Sequence, residues 1–295
     1  MAEAEPADRY GAAMAGTPPP ERIVHFVFGL RPQDAPLHLL HYLCLESCRR
    51  VVQPDRMVVH LHHLPFGPYW DLIRPHLEIE RVTPIDDVDQ VDVNPDVVPY
   101  TYAHQADVIR LDVLARFGGM YADMDTIFVN PPPEELWTRP FVIGMESGEG
   151  PSIPAVPDRS LCNALMMAQP GSEFVARWRD RIIEEMDGTW SHHSCELAAD
   201  IAAQHPDLVS IEPERSFTAY RHTIDGIADL VEREVDAVNT EAMYSVHLWA
   251  HMWWDRHRTD FSTRDATWFT EANIADGRAA LCHLARPHLP AHDLW

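Results

Sequence analysis

The sequence predicts an α/β fold: a mainly parallel central sheet flanked by helices. Three observations carry that expectation. Short apolar, strand-like runs alternate with runs whose apolar residues recur at three- and four-residue steps, the pattern of strands joined through helices. Glycine and proline punctuate the runs where turns belong, as in the Gly118–Gly119 pair and in Asn130-Pro131-Pro132-Pro133. With 295 residues, 46% of them apolar and 23% charged, the chain is long enough to bury a sizeable core in one domain.

In order, residues 22–29 (RIVHFVFG) read as a strand ending in a glycine turn, and 37–52 (LHLLHYLCLESCRRVV) as an amphipathic helix. RMVVHLHH is a second strand, FGPYWDLIRPHL a turn with a short helix, and EIERVTP a third, weaker strand. The acidic, proline-broken stretch DDVDQVDVNPDVVPYTY is a loop. A strong helix covers 103–119 and stops at paired glycines. Residues 118–131, GGMYADMDTIFVNP, then read as a buried strand. Further helices (GSEFVARWRDRIIEEM, SCELAADIAAQH) mix with short strands such as MYSVHLW in the second half. Residues 1–21 are expected to form a disordered tail and 22–295 a single domain, with no repeat or linker between.

Composition excludes several classes. A formal net charge of −23 repels nucleic acid and anionic lipid surfaces. An anionic substrate would therefore need local positive charge inside its site, which a divalent metal supplies. All 23 basic residues are arginine, so lysine Schiff bases, lysine general bases and the P-loop lysine are ruled out. The five cysteines (Cys44, Cys48, Cys162, Cys195, Cys282) are odd in number and scattered, the pattern of buried free thiols rather than a disulfide framework. The acidic, Pro/Ala-rich N-terminus lacks the features of a signal peptide, and no apolar run approaches the ~20 residues of a membrane span. A cytoplasmic location is expected.

The chemistry concentrates around residues 104–125. His104, Asp107 and Arg110 share one face of an otherwise apolar helix, which buries that face and demands partners for it. An i, i+3 pair of Asp107 with Arg110 is the plain structural explanation. In the strand that follows, period-2 alternation puts Tyr121, Asp123 and Asp125 on one side, with the two carboxylates about 7 Å apart. Carboxylates are seldom buried unless paired or metal-bound, and two on one side of a strand can converge on one ion.

The segment AHQADVIRLDVLARFGGMYADMDTIFVNP resembles the centre of the DXD-containing sugar-transferase family. That family (glycosyltransferase family 32-like) includes initiating mannosyltransferases, α1,4-galactosyltransferases and capsule-synthesis enzymes, with the glucosylating clostridial toxins as distant relatives. The matching positions are Asp107, Arg110, Gly118, Gly119, Tyr121, Asp123 and Asp125. RIVHFVFG resembles the family's opening strand, LCNALMMAQPGSEFV the acceptor-side segment with Asn163, and YSVHLWAHMWWD the late His-x-Trp segment with His247 and Trp249.

The resemblance implies a GT-A-type glycosyltransferase fold and transfer of a sugar from a UDP- or GDP-sugar, with retention of anomeric configuration and Mn²⁺ or Mg²⁺ as cofactor. It implies Asp125, Asp123 and His247 as metal ligands, and Asp107, Arg110, Asp123 and Asp125 as the catalytic set. Phe28, Tyr121 and Trp249 join Asp107, Arg110 and Asp123 on the donor side, Phe28 standing where the family often has tryptophan. Asn163 falls on the acceptor side; the acceptor itself is a small molecule, peptide or glycan. Two features depart from the family: Phe28 replaces that tryptophan, and TWSHHSCEL (189–197) lacks the expected Gly-Pro. His192 and His193 within it read as a surface-loop pair. Trp249, Trp253 and Trp254 either stack on a sugar or fill the core.

Two other readings compete. The run Asp123-Met124-Asp125-Thr126 resembles the D-x-D-x-T nucleophile motif of haloacid-dehalogenase-type phosphatases, where Asp123 would form an aspartyl-phosphate and Asp125 would act as acid/base. That chemistry usually uses a downstream lysine, which is lacking, and places its motif near the N-terminus. The other is a catalytically inactive GT-A module that binds nucleotide or glycan, against which every aligned metal and sugar position is chemically intact.

Overall fold

A computed structural model describes residues 21–85, 88, 101–146, 160–255 and 260–291. The expected N-terminal tail lies outside these residues, apart from Glu21, and so does most of the acidic loop before the long helix.

The centre is a seven-stranded sheet. Its members are β1 (Ile23–Val27), β2 (Arg56–Leu61), β3 (Glu78–Arg81), β4 (Gly119–Ala122), β6 (Phe141–Glu146), β7 (Ser160–Ala168) and β8 (Ser210–Glu212). They lie in the order β3-β2-β1-β4-β7-β6-β8. β2, β1 and β4 are parallel neighbours, as are β3 with β2 and β8 with β6, while β7 runs antiparallel between β4 and β6. This is the mainly parallel, helix-flanked sheet expected for a GT-A-type fold. The antiparallel β7 is an addition: its sequence, SLCNALMMA, is apolar on both faces and carries no alternation to announce a strand.

Helices cover both faces. On one, α1 (Leu39–Ser47), which runs on as a π-helical turn over Cys48–Val52, packs with Val24, Phe26, Met57 and Val59. On the other, α2 (Thr101–Phe117), α3 (Glu173–Arg181) and α4 (Leu197–Gln204) cover Tyr121, Phe141, Ile143 and Met166. All five cysteines are buried and free. Among the described residues no helix is long and apolar enough to cross a membrane.

One expectation needs correction. The stretch 118–131 is not a single strand: β4 ends at Ala122, and β5 (Thr126–Phe128) belongs to a separate two-stranded ribbon with β9 (Ser245–His247). Between them, the Thr126 amide donates to the Asp123 carbonyl at 3.1 Å, closing a β-turn over Asp123-Met124-Asp125-Thr126. The chain leaves the main sheet at the first aspartate and enters the ribbon just after the second.

The glycine pair explains how β4 enters. Gly118 and Gly119 both take left-handed backbone, φ 65° and 86°. A Cβ on Gly119 would lie 2.4 Å from the carbonyl oxygen of Ile23, on the adjoining strand. Only glycine permits α2 to stop and the chain to join β1 at once.

Candidate active site

The Asp-Met-Asp turn is fixed at every residue. The Asp123 amide donates to the Ala164 carbonyl of β7 at 2.8 Å. The Met124 carbonyl accepts from His41 Nδ1 of α1 at 3.0 Å. The Asp125 carbonyl accepts from the Leu248 amide at 2.8 Å. Asp125 also accepts the Ala250 amide on Oδ2, at 2.8 Å, so the amides on both sides of Trp249 turn to one aspartate. Trp249 adopts a left-handed backbone, φ 52°, to allow it. Such a conformation is costly for a bulky residue and marks a site that the surrounding structure holds in place.

β9 brings the third group. Its register sets His247 opposite Thr126, and His247 Nε2 lies 3.1 Å from Asp125 Oδ1. One ligand atom from each of Asp123, Asp125 and His247 falls within 4.8 Å of the others, a spacing that one cation can bridge. A turn and a two-stranded ribbon, not the pleat of one strand, bring these groups together.

The helix face is equally engaged. Arg110 is buried, and its guanidinium is committed within the protein. Nη1 donates to the Asn163 carbonyl at 2.8 Å and Nε to the Ala106 carbonyl at 3.3 Å. Nη2 lies 3.1 Å from Asp107 and 3.4 Å from Asp123. The same guanidinium lies over the Tyr121 ring, 4.6 Å from its centroid, while the Tyr121 hydroxyl donates to Asp123 at 2.5 Å. Asp107 accepts from Asn163 Nδ2 at 2.8 Å and meets His193 Nε2 at 3.0 Å.

His193 therefore overturns the surface-pair reading. It is fully buried on a π-helical turn, its ring edge-on to His104 with centroids 4.4 Å apart. His192 is the partly exposed member, facing Glu185 and Glu196.

The electrostatics separate the two aspartates. Burial raises the Asp123 pKa and the neighbouring Asp125 carboxylate adds to that, Arg110 opposing. Burial acts on Asp125 too, but the charge and hydrogen bond of His247 and the Ala250 amide outweigh it and hold its pKa well below the usual carboxylate range. For His247, burial lowers the pKa, yet Asp125 overcomes this and leaves it raised. Asp107 is lowered: Arg110 and His193 overcome its burial.

These groups open on one cavity of about 240 Å³. Its lining includes Asp107, Arg110, Tyr121, Asp123, Asp125, Asn163, His247 and Trp249. Phe28 is not among the lining residues; it packs against His41, ring centroids 4.8 Å apart, one position beyond the lining residue Val27. Trp253 is wholly buried, and Trp254 packs with His38 and His41, so both serve the core. Glu146, Cys162, Trp190, Cys195 and His251 also line the cavity and were not singled out by sequence reasoning. For Glu146 a signal existed: a carboxylate ending the apolar run Phe-Val-Ile-Gly-Met is out of place unless something requires it.

Residues 78–142 match the family described as "Glycosyltransferase sugar-binding region containing DXD motif". The chain thus carries that region, and the resemblance seen in its central segment holds. Over 233 residues it is 31% identical to Glucan organizing enzyme 1 of Cryptococcus neoformans var. grubii, an alignment covering 77% of this chain and 61% of the relative. It is 27% identical over 130 residues to O-glycosyltransferase PaGT of Phomopsis amygdali, covering 41% and 28%. The chain spans less than two thirds of the length of either relative. Among solved structures, the galactosyltransferase LgtC is similar at 12% identity and TM-score 0.44, covering 92% of this chain and 98% of that one. PaToxG glycosyltransferase is similar at 14% and 0.43, covering 63% and 70%.

Proposed function

We propose that the chain is a divalent-metal-dependent glycosyltransferase that moves a sugar from a UDP- or GDP-sugar to a hydroxyl-bearing acceptor, with retention of anomeric configuration. The observation that carries this reading is the charge balance of the cavity. Four carboxylates, Asp107, Asp123, Asp125 and Glu146, line it against one guanidinium, and that guanidinium is engaged by two of them. A diphosphate cannot enter so anionic a site without a cation. Asp123, Asp125 and His247 form a donor set suited to Mn²⁺, with Mg²⁺ less suited because it favours oxygen ligands. When bound, the ion would neutralise negative charge on the diphosphate leaving group.

The chain's own residues do the rest. Tyr121 and Arg110 hold Asp123 in one orientation, and Asn163 and His193 do the same for Asp107, so the carboxylates face the cavity already arranged. Asp107 and Arg110 would meet sugar hydroxyls. Phe28 would stack on the base beyond Val27. Retention rests on the family resemblance, and a product whose anomeric centre is inverted by NMR would remove it. The phosphatase reading has no comparable support, since Tyr121 and Arg110 already engage the carboxylate it needs as a nucleophile.

The deciding experiment is a thermal-shift panel of UDP, GDP and their common sugars, each with and without Mn²⁺. A ligand at about 100 times its Kd adds about 2.7 kcal/mol, a rise of several degrees for a domain of this size. A rise with one nucleotide and only with Mn²⁺ is expected. No rise with any nucleotide refutes the donor assignment and favours the inactive module.

A further inference from the structure

Two groups in the cavity take no part in holding the metal or arranging the aspartates. Glu146 ends β6 and is largely buried; its Oε1 lies 3.3 Å from His222 Nδ1. Its Oε2 is also buried, yet no hydrogen-bond donor reaches it among the described residues. A carboxylate oxygen shut away from water without a donor is expensive, and its presence in a cavity signals a donor that arrives with a ligand. The second group is Trp190. It is 39% exposed, the most open tryptophan lining the cavity, whereas Trp249 is 4% exposed and gives its Nε1 hydrogen to the Tyr220 carbonyl. The Trp190 indole is stacked on the His251 imidazole, centroids 4.7 Å apart at 28°, which fixes its plane.

We propose that Glu146 and Trp190 form the acceptor subsite and that the acceptor is a carbohydrate, its ring lying on the Trp190 indole and one of its hydroxyls donating to Glu146 Oε2. The inference rests on the function proposed above and narrows its acceptor. A sugar ring suits this pair because it offers an apolar face of C–H groups and hydroxyl donors at its rim. A serine or threonine acceptor in a peptide would offer one hydroxyl and no such face. His222 acts as a positioning residue: its ring, 5.2 Å from that of Trp249, holds Oε1 and leaves Oε2 for the ligand.

The test uses the full chain loaded with Mn²⁺ and whichever of UDP or GDP it binds, titrated with a panel of methyl hexopyranosides and methyl pentopyranosides by saturation-transfer NMR and calorimetry. At least one glycoside is expected to bind. Glu146→Gln and Trp190→Ala are each expected to weaken it about tenfold or more, while nucleotide Kd stays within about twofold. Glu146→Gln keeps the shape of the side chain, and its unfolding midpoint guards against misreading a folding defect. If nucleotide binds but no glycoside does, or if both variants bind glycosides like the parent, the carbohydrate subsite is wrong and the donor reading survives. Loss of nucleotide binding in Glu146→Gln would assign Glu146 to the donor site instead. Failure of the parent to bind any nucleotide overturns both proposals.

Discussion

At the scale of single residues, Asp125 does more than offer a ligand oxygen. Its Oδ1 meets His247, its Oδ2 takes the Ala250 amide, and its main-chain carbonyl takes the Leu248 amide. Alanine at this position would strip two partners from a buried site as well as removing the charge, and would confuse folding with function. Asparagine isolates the charge, because Oδ1 of its amide can still accept from Ala250. Asp125→Asn is expected to lower transfer by a factor of about 10² to 10³ and to abolish the Mn²⁺-dependent part of nucleotide binding, with the unfolding midpoint moved by no more than a few degrees. Activity at the level of the parent would remove Asp125 from the metal set. The sequence offered both aspartates by their place amid apolar neighbours, but it offered them for an incomplete reason. Alternation along a strand cannot foresee that the strand ends between them, because hydrogen bonds donated by His41 and Leu248 and one accepted by the Ala164 carbonyl, all distant in sequence, decide that turn. His193 reads as a surface residue for the same cause: its partner, Asp107, is 86 positions away.

At the scale of elements, the site depends on where α2 ends and β4 begins. Arg110, on the helix, reaches Asp123, at the end of the strand, across a junction of two glycines. Any displacement of β4 along β1 would move Asp123 relative to Arg110 and Asp107 together. Gly119→Ala tests this. The added methyl group must take a left-handed backbone and approach within 2.4 Å of the Ile23 carbonyl oxygen, which as main chain in the central sheet cannot yield cheaply. A loss of about 2–4 kcal/mol is expected, from the left-handed strain and the forced backbone shift together. Urea unfolding would measure it, and a change below about 0.5 kcal/mol would show that the junction has slack. This junction was legible in advance, since a glycine pair after a strong helical period has few other uses. β6 and β7 were not. Their residues face apolar layers on both sides, so the alternation that betrays a half-buried strand is erased.

At the scale of the whole molecule, the buried histidines set a pH limit on the fold. His25 on β1 and His60 on β2 meet through Nδ1 and Nε2 at 3.0 Å, and His25 Nε2 lies 3.1 Å from the Gly118 carbonyl. A carbonyl can only accept, so His25 carries its hydrogen on Nε2, leaving its Nδ1 to accept from His60 Nε2. Both rings are thus neutral and each in a fixed tautomer. Burial lowers His25 to about 4, and burial with the neighbouring His25 lowers His60 to about 3, from an ordinary value of 6.5. At this pair the folded state therefore binds fewer protons than the unfolded one below pH 6.5, and the pair's contribution to stability falls as pH falls through that window. Full stability is expected above pH 6.5, with a loss of about 1–2 kcal/mol for each of the two histidines by about pH 5, deepening toward pH 4. His38 and His288, each lowered to about 4 chiefly by burial, act in the same direction. The pair lies beside Gly118, so its protonation would loosen the same junction that sets Asp123 against Arg110. Urea unfolding at several pH values between 7.5 and 4.5 would trace the fall, and nucleotide binding with Mn²⁺ over the same range would show whether the site fails with the fold or before it. A histidine NMR titration that placed either His25 or His60 near the ordinary value of about 6.5 in the folded protein would mean that the neutral hydrogen-bonded pair is wrong.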